Sequence, residues 1–306
     1  MRGHSASGTS PDVHVQHEQT ANKKETTMDK ARLPGFYKLS IAERLNKAYE
    51  KGWLSDADML ALKEGHHLLD PGRADKMIEN VIGVMGLPLG LGLNFQVNSK
   101  DYVVPLVVEE PSVVAALSSA AKTFRLSGGI QAKAEESLLI GQIQIVSPPD
   151  AEQAMNQVLF HKQELIDKLN DLHPSMVKRG GGVKDIEARI FPRTSDNPLM
   201  LVVHLLVDTC DAMGANIINT LCEEAAADLE ALTEGRVFLR ILSNLTDRAL
   251  VKASVKIELV QMEGEHFSGE EVRDGIILAS QFAAIDPYRA ATHNKGIMNG
   301  IDPLAI

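Results

Sequence analysis

The chain reads as an α+β protein in which a larger, mostly helical part is interrupted by a smaller α+β unit. Three observations predict this. Apolar residues recur every three or four positions from "LPGFYKLSIAERLNKAYEKGWLSDADMLALKEG" onward, which is the helical period. Glycine-punctuated, β-branched runs follow at "VIGVMGLPLGLGLNFQVNSKDYVVPLVVEE". Between about 138 and 245 strand and helix texture alternate over the length of a small domain, and helix texture then returns. The expected divisions are 1–27 as a disordered tail, 28–137 and 246–306 as two parts of the larger domain, and 138–245 as the inserted unit.

The first 27 residues are rich in Ser, Thr, His, Gln and Lys with almost no large apolar side chain, so their packing cannot offset the entropy of ordering. His4, His14 and His17 in this tail form no ligand-like group with carboxylates or cysteines. Beyond it, Ser40 and Ser55 stand where N-caps of two amphipathic helices belong. "VNSKDY" supplies the turn of a hairpin whose second strand is "YVVPLVV". "EEPSVVAALSSAAKTF" then starts a helix with Pro111 in its first turn and small residues along one face.

In the inserted unit the expected strands are "LLIGQIQIV", "DIEARIF", "PLMLVVHLLVD" and "VFLRILS"; the expected helices are "AEQAMNQVLFHKQELIDKLND" and "DAMGANIINTLCEEAAADLEAL". In the second helix Met213, Ile217, Leu221, Ala225 and Leu229 lie four apart and form one core-facing stripe. "RALVKASVKIEL" reads as strand, and "SGEEVRDGIILASQFAAIDPYRAATHNKG" as helix.

Composition excludes several classes of function. A chain of 306 residues, 44% hydrophobic and 24% charged, buries roughly three quarters of its unfolded surface as one or two domains. A net charge of −10 argues against duplex nucleic acid as a partner. No run approaches the roughly 20 apolar residues of a membrane span, and the N-terminus lacks the apolar stretch of a secretion signal, so the cytoplasm is the expected location. Cys210 and Cys222 are far from any CxxC pattern and read as reduced core thiols.

Two places carry candidate chemistry. At "DAMGAN", Asp211, Ala212 and Gly214 occupy a helix start, where a glycine lets an anion approach aligned backbone N–H groups; the absence of GxGxxG argues against a Rossmann fold. At "EEPS", Glu109 and Glu110 follow an apolar run, so that one can turn into a cleft while the other faces solvent. Burial would raise the pKa of such a carboxyl and a helix dipole would lower it, and the sequence does not decide between them. A third place is Lys295, set between His293, Asn294 and Gly296, neighbours that permit close approach and hydrogen bonding.

Taken in order, "ENVIGVMGLPLG", "VPLVVEEPSVVAA", "DAMGANIINT", "LRILSNL", "FSGE" and "DPYRAATHNKGIMNGIDPL" closely resemble the class II (bacterial-type) HMG-CoA reductases, from about "RLPGFYKLS" to the last residue. The resemblance implies reduction of HMG-CoA to mevalonate and CoA by two hydrides from NADH or NADPH, or the reverse oxidation. It implies a ferredoxin-like, non-Rossmann dinucleotide-binding domain inside a substrate domain, and a homodimer or larger assembly paired through "ENVIG" and the small face of "PSVVAALSSAA".

Carried over by residue, the family's catalytic glutamate falls on Glu110 and its lysine on Lys295. Asp211, Met213, Gly214 and Asn216 match the cofactor-binding helix start. Arg289, Asn299 and Ser112 fall on the substrate side, with no metal implied. The position at which NAD-preferring members carry an aspartate, seven before Gly180, is His173, with Asp171, Lys178 and Arg179 nearby, which leaves NADP open. The family's further aspartate, in a "GND" motif, and its thiolate-protonating histidine lie past "NGIDPL" in that pattern and are not among these 306 residues. The chain as written is therefore expected to be inactive alone, and a non-catalytic module retaining only ligand binding or dimerisation is the competing reading.

Overall fold

The computed structural model describes residues 30–65 and 69–306, so the expected disordered tail, with His4, His14 and His17, lies outside the described residues. The chain divides into two compact units, Met1–Gly129 with Ile257–Ile306, and Ile130–Lys256.

In the first unit, α1 (Ile41–Glu50) and α2 (Asp56–Glu64) each begin with a capping box. Ser40 accepts from the Glu43 N–H while Glu43 accepts from the Ser40 N–H, and Ser55 and Asp58 do the same. A short helix, α3 (Pro71–Ala74), is followed by the antiparallel hairpin of β1 (Leu89–Val97) and β2 (Lys100–Val107). Asn94, at φ 70° in a bulge of β1, turns its side-chain amide to donate to the Ser118 carbonyl of α4 (Val113–Leu126) at 3.0 Å.

Pro111 does not sit in the first turn of α4. Ser112 is the N-cap, at φ 73°, and Pro111 and both glutamates precede it in a turn. The returning chain forms α9 (Gly269–Ile285) and α10 (Pro287–Ala305); they are separate helices because Asp286 is extended, caps the Arg289 N–H and precedes a proline.

In the second unit a two-stranded ribbon pairs β3 (Gln131–Ala134) with β8 (Val251–Ser254). The ribbon is followed by a four-stranded antiparallel sheet in the order β5-β6-β4-β7, built from β4 (Leu139–Val146), β5 (Gly182–Phe191), β6 (Met200–Asp208) and β7 (Arg236–Ser243). The helices are α5 (Ala151–Phe160), α6 (Lys162–Leu172), α7 (Pro174–Val177) and α8 (Ala215–Thr233). The expected single helix over 151–171 breaks at His161 into α5 and α6. Ile143 and Ile145 of β4 and Leu201, Val203, Leu205 and Val207 of β6 share one buried core with Val158, Leu169, Ile218, Leu221, Ala225 and Leu229 of the helices. The alternation along β6 explains this side of the sheet, since residues two apart share a face.

The stripe read for α8 is shifted. Met213 precedes the helix and is 80% exposed, while Ile218 and Cys222 join Leu221, Ala225 and Leu229 in the core. Cys210 also departs from expectation: it is half-buried, in a positive-φ turn, whereas Cys222 is buried and its thiol is pushed up to about 12 by burial.

On the other face of β6, His204 is buried and its Nε2 lies 2.9 Å from the Gln142 amide nitrogen, but its Nδ1 is buried without a partner among the described residues. Burial, then the Arg189 charge, pushes its pKa below the ordinary 6.5. Because the folded value lies below the unfolded one, the stability this neutral histidine contributes is present above pH 6.5 and is lost as pH falls beneath it. The melting temperature of the second unit is expected to drop through that range. His204→Gln should flatten the drop; an unchanged pH profile would contradict the assignment.

Candidate functional site

Glu110 and Lys295 are 185 residues apart in sequence, and the fold brings them together within the first unit. Lys295 Nζ donates to Glu110 Oε2 at 2.5 Å, with the lysine side chain 60% and the glutamate side chain 42% exposed. An exposed pair of this kind contributes little to stability. Its setting is an open site in which both groups can meet a ligand, so Glu110 does not gain the desolvated environment that a deep cleft would give.

The turn holding Glu110 follows β2 and ends at the Ser112 N-cap of α4, and Lys295 is in the middle of α10. Two cavities meet at this turn, both lined by Glu110, Pro111 and Ser112. The larger, of about 940 Å³, runs past Leu89, Leu91 and Val114 and carries the cations Arg32, Arg44 and Lys122. The smaller, of about 510 Å³, lies between α4 and α10 and is lined by Ala116, Ala120, Gly296, Asn299 and Gly300. Asn299 is four residues after Lys295 and therefore on the same helix face. Arg289 is half-buried in the first turn of α10; it lines neither cavity and makes no ion pair among the described residues. Six residues from Lys295, it is about 9 Å away along the helix axis.

The second unit holds the remaining candidates. Asp208 Oδ1 accepts from the Cys210 N–H at 2.8 Å and Thr209 Oγ1 donates to the Ala212 carbonyl at 2.8 Å, folding 208–212 into a tight turn before α8. Asp211, Met213 and Asn216 are exposed on its rim. Gly214, the N-cap, has φ 85°, and a Cβ there would lie 2.5 Å from Thr209 Cγ2. The glycine is thus required by its own packing as well as by its backbone conformation. Among the described residues no side chain caps α8, and no acidic residue occupies its first turn, which leaves the N–H groups of Ala215, Asn216 and Ile217 without a side-chain acceptor there at the positive end of the helix.

His173 lies at the junction of α6 and α7, with Nε2 2.7 Å from Glu224 Oε2 of α8. Lys178 and Arg179 nearby are exposed, and the Arg179 carbonyl lies 3.6 Å from Cys210 Sγ. The segment Arg32–Tyr37, a turn that runs into a short 3-10 helix at Phe36–Lys38 and forms a wall of the larger cavity, was not among the sequence candidates; its only signal was an aromatic pair beside a glycine in "LPGFYK". Among the described residues no cluster of His, Cys, Asp and Glu could hold a metal ion, and no helix is long and apolar enough to cross a membrane.

A family profile described as hydroxymethylglutaryl-coenzyme A reductase matches residues 40–306. The 3-hydroxy-3-methylglutaryl-coenzyme A reductase of Archaeoglobus fulgidus is 49% identical over 276 residues, which are 90% of this chain and 61% of that protein. A probable reductase of the same name from Borreliella burgdorferi is 33% identical over 74% of this chain and 50% of its own length. The solved class II reductase of Streptococcus pneumoniae, bound to NADPH in open conformations, superposes with a TM-score of 0.84 at 40% identity, covering 89% of this chain and 72% of that one. The chain thus spans 61% of the length of the Archaeoglobus relative. With that profile matching residues 40–306, the chain belongs to the hydroxymethylglutaryl-coenzyme A reductase family.

Proposed function

We propose that the protein interconverts HMG-CoA with mevalonate and CoA, the thioester and two NAD(P)H with two protons giving the primary alcohol, the free thiol and two NAD(P)+. The observation that carries this reading is the Glu110–Lys295 pair at the meeting point of the two cavities. When bound, the dinucleotide supplies hydride to the acyl carbon. Charge then accumulates on the carbonyl oxygen, and the Lys295 ammonium stabilises it more in the transition state than in the ground state. Glu110, which accepts a hydrogen bond from that ammonium, takes up a proton from solvent and passes it to the same oxygen.

The uncapped, acid-free start of α8 fits a dinucleotide diphosphate, since its dipole and its three N–H groups without a side-chain acceptor favour an anion. Asp211, Met213, Gly214 and Asn216 form that subsite in this reading, and the second unit is the dinucleotide-binding domain. The larger cavity takes the CoA arm, with leucines along the apolar stretch and Arg32, Arg44 and Lys122 for phosphates. Ser112 and Asn299 border the acyl end, and Arg289 is assigned to a carboxylate or phosphate of the substrate. A paired assembly through the exposed Ile82 segment belongs to the same proposal, and a monomer by light scattering would remove it.

Calorimetric titration of the chain with HMG-CoA and with NADPH tests the reading. Binding of both is expected, and binding of neither overturns it. Cofactor choice is set at His173, whose neighbour Glu224 already places a carboxylate there. His173→Asp, which adds a second carboxylate beside Glu224, is expected to shift preference toward NADH by about tenfold through repulsion of the 2′-phosphate. The ratio of dissociation constants for NADH and NADPH reads the shift, and an unchanged ratio would move the choice to another residue.

A further inference from the structure

The segment Arg32–Tyr37 contributes a continuous wall to the 940 Å³ cavity and is tied down at both ends. At the far end Arg44 Nε donates to the Leu39 carbonyl at 2.9 Å and Ser40 caps α1. At the near end the Ala31 N–H donates to Asp101 Oδ2 at 3.2 Å and the Ala31 carbonyl accepts from the Asn94 N–H at 3.0 Å. Asp101 is itself held by Arg125, with Nη1 to Oδ1 at 2.7 Å and Nη2 to Oδ2 at 2.9 Å. The side chains of Arg125 and Asp101 are 11% and 4% exposed, and Ala31 is 1% exposed.

A buried ion pair is a costly way to fill space, and an apolar pair of similar volume is often as stable. What the bidentate geometry adds is a single orientation of the carboxylate. Here that orientation presents one oxygen to the N–H of Ala31, the residue immediately before the segment that walls the cavity.

We infer that Asp101 is a positioning residue, oriented by Arg125, that anchors the Arg32–Tyr37 strap and thereby shapes the larger cavity for the CoA ester. The inference rests on the proposed use of that cavity, but neither Asp101 nor Arg125 lines it. With the anchor weakened, Arg32 and its neighbours lose their fixed geometry, and the ligand must order them on binding. The second unit is untouched, so the dinucleotide should bind as before.

Asp101→Asn keeps the shape and removes the charge. Because it removes the carboxylate that faces the Arg125 guanidinium, a companion variant, Asp101→Asn with Arg125→Met, removes both charges. Calorimetry on the whole chain is expected to show HMG-CoA affinity about tenfold weaker in each, with NADPH affinity unchanged. Trypsin should cut faster after Arg32 and Lys38 in both variants, while HMG-CoA protects the wild-type chain. Wild-type HMG-CoA affinity or unaltered cleavage in a folded variant overturns the inference, as does an equal loss of NADPH binding, which marks general unfolding. Failure of the wild-type chain to bind HMG-CoA at all instead overturns the functional reading and the inference with it.

Discussion

Lys295→Ala is expected to lower kcat by about two to three orders of magnitude, roughly 2.7 to 4 kcal/mol of transition-state stabilisation, while the dissociation constant of HMG-CoA changes little. The ammonium is fixed on the face of α10 that Asn299 shares, and its hydrogen bond to Glu110 presets both groups before substrate arrives. Preset donors of this kind act on charge that develops during reaction rather than on the bound ester. The chain covers 72% of the solved Streptococcus pneumoniae relative, so kinetics are set on a chimera. In it, the remaining C-terminal part of the Streptococcus pneumoniae relative follows Ile306. Near-normal kcat in the Lys295 variant would remove the lysine from the mechanism.

Gly214→Val has the second large effect, and it acts on folding and binding together. A Cβ at φ 85° is strained, and here it would also lie 2.5 Å from Thr209 Cγ2, a buried side chain with little room to retreat. The expected cost is about 2 to 4 kcal/mol of stability in chemical denaturation, accompanied by loss of NADPH binding as the start of α8 shifts. Asn216→Ala, exposed on the same rim, separates the two effects: it should weaken NADPH binding and leave the denaturation midpoint in place. Undiminished NADPH binding in Gly214→Val would place the dinucleotide elsewhere.

Local chemistry was legible in the sequence and long-range chemistry was not. Ser40 and Ser55 announce their helices because each capping box is complete within four residues. The hairpin at "VNSKDY" is equally local. Met213 was misplaced because fourfold spacing continues past the point where Gly214 ends the turn; periodicity cannot show where a backbone leaves helical angles. Pro111 was misplaced for a related reason, since Ser112 adopts a positive φ that no propensity predicts.

The pairing of Glu110 with Lys295 spans 185 residues, and only resemblance to a family joined them before the fold did. The Asp101–Arg125 anchor of the Arg32–Tyr37 strap gave no signal, because an aspartate beside a turn reads as solvated until its burial is known.

The most direct measurement is HMG-CoA-dependent oxidation of NADH or NADPH by the chimera, with mevalonate quantified alongside and with Glu110→Gln and Lys295→Ala in parallel. The account predicts two dinucleotides oxidised for each mevalonate formed, and loss of that turnover in both variants. Turnover that survives both substitutions would contradict it.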